Sequence, residues 1–235
     1  MPNALIVAHG QPSDPAPAED ALAAYAAEVD ALCNGVTVTS ATLAAPGAFE
    51  QHVSELPDDA VINPLFMAKG WFVTSALPKR LAARNLRILD PLGVDPDLPA
   101  LVADALREKL HENQWNPQDT DLVLAAHGSG RSRNPSAVAR AFADDLGRKL
   151  AFRSIRPGFV EEPPSIATAA TGLPSQSLCL PFFACTGGHV LEDVPQELAA
   201  ADFKGQVMPV VGELPRIKRH IGTRLSRAFE GLRNP

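Results

Sequence analysis

The chain has 235 residues, of which 46% are hydrophobic and 20% are charged, and its formal net charge is -6 at pH 7. This length and apolar content suit one large or two small globular domains, and the acidic balance argues against a protein that mainly binds nucleic acid. The first residues carry no basic leader, and no stretch reaches the roughly 18 apolar residues of a transmembrane helix. Three widely spaced cysteines predict no disulfide, so we expect a cytoplasmic protein without a membrane partner.

Short β-type runs alternate with longer segments of helical periodicity along the chain. The first half is predicted to contain strand 4–10, helix 18–33, strands 36–43 and 60–66, helix 75–85, strand 86–93 and helix 98–112. The second half is predicted to contain strand 121–128, helix 136–150, strands 154–160 and 177–183, helix 189–201, strand 206–212 and helix 214–229. Strands separated by helices of this length are typical of an α/β protein with parallel sheets.

The second half repeats the first. The segment "PLFMAKGWFVTSALP", from Pro64, aligns without a gap with "PFFACTGGHVLEDVP", from Pro181, and "IVAHG" aligns with "LAAHG", so that His9 pairs with His127. Such self-similarity predicts two copies of one structural unit. We therefore expect two similar lobes, residues 1–116 and 117–235, each a small parallel sheet flanked by helices, with a cleft between them.

The two copies differ at residues that are suited to chemistry. His189 aligns with Phe72, and the glutamates at 161–162 align with the alanines at 44–45, whereas both copies keep the histidine after their first strand. Features that both copies keep are expected to serve the fold, and features of one copy alone are better candidates for a reaction. The C-terminal lobe is therefore predicted to carry the site, and the N-terminal lobe a degenerate version of it.

His127, His189 and the glutamate pair follow predicted strands at their carboxyl ends, where ligands bind in parallel sheets. Two imidazoles and a carboxylate can hold a divalent metal ion and leave coordination positions open, and the same groups accept protons near neutral pH. Each residue also has a simpler interpretation, as a hydrogen-bonding histidine at a strand end or as a solvated acidic turn before a helix. Because the two histidines and the glutamates occur together in one copy, we favour the metal site over these simpler roles.

The loop "HGSGRSRNP" adds Arg131 and Arg133, which are suited to gripping the carboxylates of an anionic small molecule or are simply solvated. Glycines around the histidines, Gly188 among them, would let a large flat ligand approach the backbone. The sequence "AHGSGRS" lacks the Gly-Lys-Ser/Thr ending of a phosphate-binding loop, and no GxGxxG follows the first strand. No nucleotide cofactor is therefore expected.

The segments "LAAHGS", "GFVEEPPSI" and "PFFACTGGHVLEDVP" resemble those of the class II chelatases, which insert cobalt or iron into sirohydrochlorin in cobalamin and siroheme synthesis. The resemblance extends over nearly the whole chain and matches family members built as two fused copies. It implies an ATP-independent metal chelatase, a lyase whose substrates are an anionic tetrapyrrole and a divalent cobalt, iron or nickel ion. A non-catalytic carrier of metal or tetrapyrrole is the alternative, and the chain is either a monomer or a homodimer.

The resemblance also implies roles for individual residues. His127 and His189 would bind the metal and accept protons, with Glu161 as the carboxylate partner and Glu162 as the alternative, because "FVEEPPSI" is slightly shorter than the usual family segment. The residues assigned to the substrate are Ser129, Arg131, Arg133, Gly188 and His9, with Lys69 and Lys79 as further partners for its acidic groups. Trp71 and Phe72 would cover the ring, whereas Phe182 and Phe183 are expected mainly in the core.

Overall fold

A computed structural model describes residues 1–130 and 134–230 of the chain. Within these ranges it has two parallel sheets of four strands each. The strands are β1 (Asn3–Ala8), β2 (Thr37–Thr42), β3 (Val61–Pro64), β4 (Arg87–Ile88), β5 (Asp121–Ala126), β6 (Ser154–Phe159), β7 (Ser177–Phe182) and β8 (Gln206–Val207). The α-helices are α1 (Pro15–Asp30), α2 (Ala48–Glu55), α3 (Leu77–Arg80), α4 (Leu98–Glu112), α5 (Asn134–Lys149), α6 (Ile166–Ala170), α7 (Val194–Ala200) and α8 (Pro215–Ala228).

The two sheets have the same topology, β2-β1-β3-β4 and β6-β5-β7-β8, and all their pairs are parallel. The central strand of the second sheet, β5, is buried along its whole length. A strand covered on both faces is expected to be a continuous apolar run, as "LVLAA" is. The predicted α/β class with two parallel sheets is therefore confirmed.

Neighbouring strands of the second sheet end at the same level. Ala126, the last residue of β5, pairs with Phe159 of β6 on one side and with Phe182 of β7 on the other. Residues that follow these three strands therefore emerge at one edge of the sheet. The chain passes from β5 to β6 on one side and then to β7 on the other, which makes this edge a topological switch point.

The chain forms two compact units that differ from the predicted lobes 1–116 and 117–235. One unit comprises residues 1–92 and the segment from Pro215 onward, and the other comprises residues 93–214. Helix α4 therefore belongs to the second unit, where it packs against α5, and α8 belongs to the first, where it packs against α1. The repeat aligns these two helices, but each has an apolar stripe that can cover either sheet, so the alignment alone does not assign them.

Each unit has its own apolar core. In the first, Leu5, Ile62 and Phe49 are fully buried between the sheet and its helices. In the second, the corresponding cluster includes Val123 and Cys179. Phe182 and Phe183 are also buried, which confirms the expectation that they serve the core.

Some predicted elements differ in extent from those observed. Strands β4 and β8 contain two residues each, and the short helices α2 and α6 were not predicted. Helices of eight and five residues contain at most about two turns, too few for a clear apolar period. Among the described residues, no helix is long and apolar enough to cross a membrane.

Candidate metal centre

Three of the predicted site residues, His127, Glu161 and His189, lie together in the second unit. One ligand atom from each side chain lies within 4.8 Å of the other two. The side chains are 44%, 45% and 42% exposed, respectively, so that an ion and a substrate can reach them. Two nitrogen donors and one oxygen donor form a set that suits first-row divalent metals, and three protein ligands leave positions open for exchange.

The three residues come from three neighbouring strands. His127 follows β5 directly, Glu161 follows the end of β6 by two residues, and His189 begins a π-helical turn after β7. The backbone N–H of Glu161 donates to the carbonyl of His127 at 3.0 Å, which continues the strand pairing into the site. The cluster therefore lies at the switch point of the sheet, where ligands of open α/β folds bind.

A local hydrogen bond fixes the imidazole of His127. Its Nδ1 lies 2.9 Å from the carbonyl oxygen of Gly128 and 3.8 Å from Oε2 of Glu161. Because a carbonyl only accepts, Nδ1 carries the proton and Nε2 keeps the lone pair that a metal needs. Gly128 has φ +69°, and a Cβ there would lie 2.9 Å from the side chains of Glu162 and Phe159, so the turn requires glycine.

The two glutamates have different partners. Glu161 lies in the cluster with the histidines, whereas Oε1 of Glu162 accepts a hydrogen bond from the backbone N–H of Ser129 at 2.8 Å. The Glu162 side chain thus braces the loop that carries His127. This geometry favours Glu161 over Glu162 as a metal ligand.

The imidazole of His189 is held by a carboxylate that the sequence analysis did not single out. Its Nδ1 lies 2.6 Å from Oδ2 of Asp193, four residues later. As with His127, the proton on Nδ1 leaves Nε2 as the donor to a metal, and a carboxylate behind a ligand histidine raises its basicity. The sequence signal was the spacing of a histidine and an aspartate four positions apart on one helix face.

The helix that carries His189 starts with a π-helical turn, His189–Asp193, in which the N–H of Val194 donates to the carbonyl of His189. Pro195 follows at the second position of α7. Proline has no N–H and its ring crowds the carbonyl four residues earlier, which favours a locally wider helix. The equivalent segment of the first unit, Phe72–Ala76, is also π-helical and is followed by Pro78.

The loop before His189 is tied to the 3-10 turn Val211–Glu213, which follows β8. Glu213 accepts hydrogen bonds from the N–H and the hydroxyl of Thr186 at 2.6 and 3.0 Å.

Burial, with the nearby Glu213 charge, raises the pKa of the Cys185 thiol to about 11. This thiol is therefore protonated at neutral pH, and a protonated thiol is a poor metal ligand.

The first unit repeats the arrangement of the two site rings, with one imidazole replaced by a phenyl ring. Nδ1 of His9 lies 2.9 Å from the carbonyl oxygen of Gly10, as in His127. The ring of His9 meets that of Phe72 edge-on, with 4.3 Å between centroids, and His127 meets His189 in the same way at 4.5 Å. Phe72 thus occupies the position of His189 without its nitrogen.

The remaining predicted residues are placed as follows. Gly188 is exposed and directly precedes His189, and Ser129 lies in the loop braced by Glu162. His9 belongs to the first unit and is not one of the three residues of the cluster. Arg131 and Arg133 lie outside the described residues.

Fold and site together define a two-copy α/β protein whose second copy carries two histidines and a carboxylate at its sheet edge. The chain belongs to the CbiX family, whose model matches residues 3–109 and again residues 121–228. This confirms the resemblance to the chelatases.

Individual relatives agree with the family assignment. CbiX, the terminal enzyme for biosynthesis of siroheme in denitrifying bacteria, is 45% identical in a solved structure with a TM-score of 0.86, over 96% of this chain and 99% of that chain. SirB from Bacillus subtilis, solved with Fe3+, is 18% identical with a TM-score of 0.72 over 99% of this chain and 97% of that chain, and supports the fold. The probable sirohydrochlorin cobaltochelatase of Halobacterium salinarum is 22% identical over 60% of this chain, and the match spans 57% of that relative's length.

Proposed function

We propose that the protein inserts a divalent cobalt or iron ion into sirohydrochlorin, or a close tetrapyrrole relative, in siroheme or cobalamin biosynthesis. The observation that carries this proposal is the convergence of His127, Glu161 and His189 within 4.8 Å, with both Nδ1 atoms engaged elsewhere. Support comes from the siroheme enzyme CbiX, which is 45% identical over nearly all of both chains.

The residues present fit the chemical needs of insertion. The neutral imidazoles of His127 and His189 hold the incoming ion through Nε2, and the absence of a thiolate from this donor set keeps it weak enough to release the ion. Insertion displaces two protons from the pyrrole nitrogens as the metal–nitrogen bonds form. Glu161, half-exposed beside His127, accepts one of these protons, and solvent or a released imidazole accepts the other.

The substrate is recognised as an anionic, flat ligand. Arg131 and Arg133 are proposed to meet its carboxylates, and the support for this is their place in the sequence, four and six positions after His127. Ser129, Gly188 and His9 are proposed as further substrate contacts. Nickel is a third possible metal for this donor set, and no nucleotide is needed. A cytoplasmic location is supported by three free cysteines.

The test is the rate at which Co2+ or Fe2+ enters metal-free sirohydrochlorin, followed by ultraviolet–visible absorption with and without protein. We expect the parent to accelerate insertion, and His127→Ala and His189→Ala to lower the rate at least about 100-fold. His111→Ala, which removes an exposed histidine of α4, is the matched control and should retain the parent rate. A parent that binds metal and ring without accelerating insertion would instead be a carrier.

A further inference from the structure

The helix that carries His189 contains one residue more than regular α-helical bonding would place there. The N–H of Val194 donates to the carbonyl of His189, five residues earlier, and α7 continues from Val194 as an α-helix. In the first unit the N–H of Leu77 donates to the carbonyl of Phe72 in the same way. Single π-helical turns inside α-helices are uncommon and occur frequently at functional sites. Their presence in both units indicates that a shared sequence feature produces them.

The shared feature is a proline at the end of each turn. Pro195 and Pro78 both occupy the second position of the α-helix that follows. In a regular α-helix the N–H at position 195 would donate to the carbonyl of Leu191, but proline has no N–H and its ring crowds that carbonyl. The α-helical bond therefore cannot form at this point, and the chain inserts one residue before four-residue bonding resumes.

The inserted residue determines which side chain faces the end of β5. Val194 is buried in the core of the second unit, and a bond over five residues places His189 one turn before it on the same side. There the ring of His189 meets that of His127, with 4.5 Å between centroids. In a regular α-helix Val190 would lie one turn before Val194, and His189 would be turned by about 100° around the helix axis. The site would then lose a nitrogen donor.

The first unit shows that the turn sets a position rather than a chemistry. Leu77 is fully buried, and Phe72 lies one turn before it, edge-on to His9 at 4.3 Å between centroids. In both units, therefore, the side chain at the first position of the turn is brought to the histidine that follows the first strand.

We propose that Pro195 is a positioning residue for metal insertion, because it keeps the helix in its π-helical register and thereby holds His189 beside His127. The proposal rests on the function proposed above and adds a residue that acts through the backbone of the turn. Pro78 has the same effect on Phe72, where no metal ligand is held.

The experiment compares Co2+ binding by Pro195→Ala and Pro78→Ala, with calorimetry for the affinity and visible absorption for the coordination of the bound ion. Alanine supplies the missing N–H and is a strong helix former, so we expect Pro195→Ala to remain folded by circular dichroism while His189 turns away. Its Co2+ affinity should fall at least about tenfold, as for residues that orient a metal ligand. The cobalt absorption bands should change with it, because one nitrogen donor is lost. Pro78→Ala, the matched control, should retain the affinity and the spectrum of the parent.

A second variant separates the position of His189 from the stability of the helix. Deleting Leu191 in the Pro195→Ala background removes one residue, so that an α-helical bond again places His189 one turn before Val194. Leu191 is suited to removal because its side chain is 67% exposed. We expect the deletion to recover most of the Co2+ affinity that Pro195→Ala loses.

The possible results distinguish the role of Pro195 from the proposed function. Parent-like Co2+ affinity and spectrum in Pro195→Ala would overturn the positioning role and leave the proposed function intact. Equal losses in Pro195→Ala and Pro78→Ala, or no recovery on deletion of Leu191, would also overturn it, since the proline would then act through the stability of the fold. A parent that binds no Co2+ would contradict the proposed function itself.

Discussion

At the scale of single residues, both site histidines are oriented by a hydrogen bond from Nδ1, but the groups that accept it differ. His127 uses the carbonyl oxygen of Gly128, which is part of the fold in both copies, since His9 and Gly10 do the same. His189 uses the carboxylate of Asp193. An anionic acceptor makes the histidine a stronger ligand than a neutral carbonyl does.

Asp193→Asn is therefore expected to weaken Co2+ binding about tenfold, within the range seen for partners of ligand histidines. Isothermal titration calorimetry of the parent and the variant measures this directly. Glu192→Gln removes a charge next to Asp193 without touching the His189 hydrogen bond and serves as the control. Equal losses in both variants would mean that net charge, rather than the hydrogen bond, governs the affinity.

The two adjacent glutamates are expected to respond differently to removal. Glu162→Ala should lower the free energy of unfolding by about 1–3 kcal/mol, because the N–H of Ser129 loses a charged acceptor. Glu161→Ala should leave stability nearly unchanged and slow metal insertion. Urea denaturation and the absorption assay separate the two effects, and a stability loss in Glu161→Ala alone would reverse these assignments.

At the scale of elements, the copies share the strand order, the π-helical turn and its proline, and they differ in the side chain at the start of that turn. The backbone of the first unit could therefore place a second pair of histidines. It offers no carboxylate beside them, since the alanines at 44–45 align with the glutamates. The metal centre of the second unit depends on three residues rather than on the fold.

Phe72→His is expected to give the first unit a weak second metal site, because His9 and the new imidazole would lie as His127 and His189 do. Co2+ titrations should show a second binding step, weaker than the first for lack of a carboxylate ligand. Phe72→Leu, which adds no donor, is the control. If neither variant shows a second binding step, the similar ring geometry of the two units is not sufficient for metal binding.

Strand β5 begins with a buried carboxylate, Asp121, whose ion pair with the half-exposed Arg153 makes stability depend on pH. Burial by itself would raise the pKa of Asp121, but hydrogen bonds from Arg153 and Ser154 hold it below its ordinary value of 3.8. In the unfolded chain Asp121 keeps its ordinary pKa. The ion pair therefore stabilises the fold fully at pH values above that ordinary pKa, and the stabilisation is lost as the pH falls through the lower pKa of the folded state.

Asp121→Asn should accordingly destabilise the protein at pH 7 and flatten the decline of stability in acid. Urea denaturation of the parent and the variant at pH 7, 5 and 3 tests this. A variant whose stability falls with pH as steeply as that of the parent would show that other carboxylates dominate.

The sequence predicted the sheets and the site residues to different degrees. Long apolar runs such as "DLVLAA" and the aligned segments "PLF" and "PFF" were sufficient to predict the parallel strands and the place of His127 and His189. The role of Glu162 depends on a hydrogen bond to Ser129 across 33 positions, which periodicity does not reveal. Asp193 had a sequence signal in its four-residue spacing from His189, but that spacing identifies a partner only once both residues are placed on one helical turn.

At the scale of the whole molecule, the sequence repeat and the compact units do not coincide. Helix α4, the last helix of the first copy, packs in the second unit, and helix α8, the last helix of the second copy, packs in the first unit. Helix α8 buries Ile217, Ile221 and Leu225 in the first unit. A chain divided at the boundary of the repeat would therefore separate each unit from one of its helices.

Fragments 1–116 and 117–235, expressed separately, are expected not to form stable monomers, whereas their co-expression should restore a folded complex. Circular dichroism and analytical ultracentrifugation measure both properties. Two fragments that each unfold cooperatively as monomers would contradict the division of the helices between the units.

The proposed metal centre is tested by anomalous X-ray scattering from crystals of the protein soaked in Co2+. We expect a cobalt ion about 2.1 Å from Nε2 of both His127 and His189, with an oxygen of Glu161 as a further ligand. Cobalt bound through either Nδ1 atom, or bound only at other residues, would contradict it.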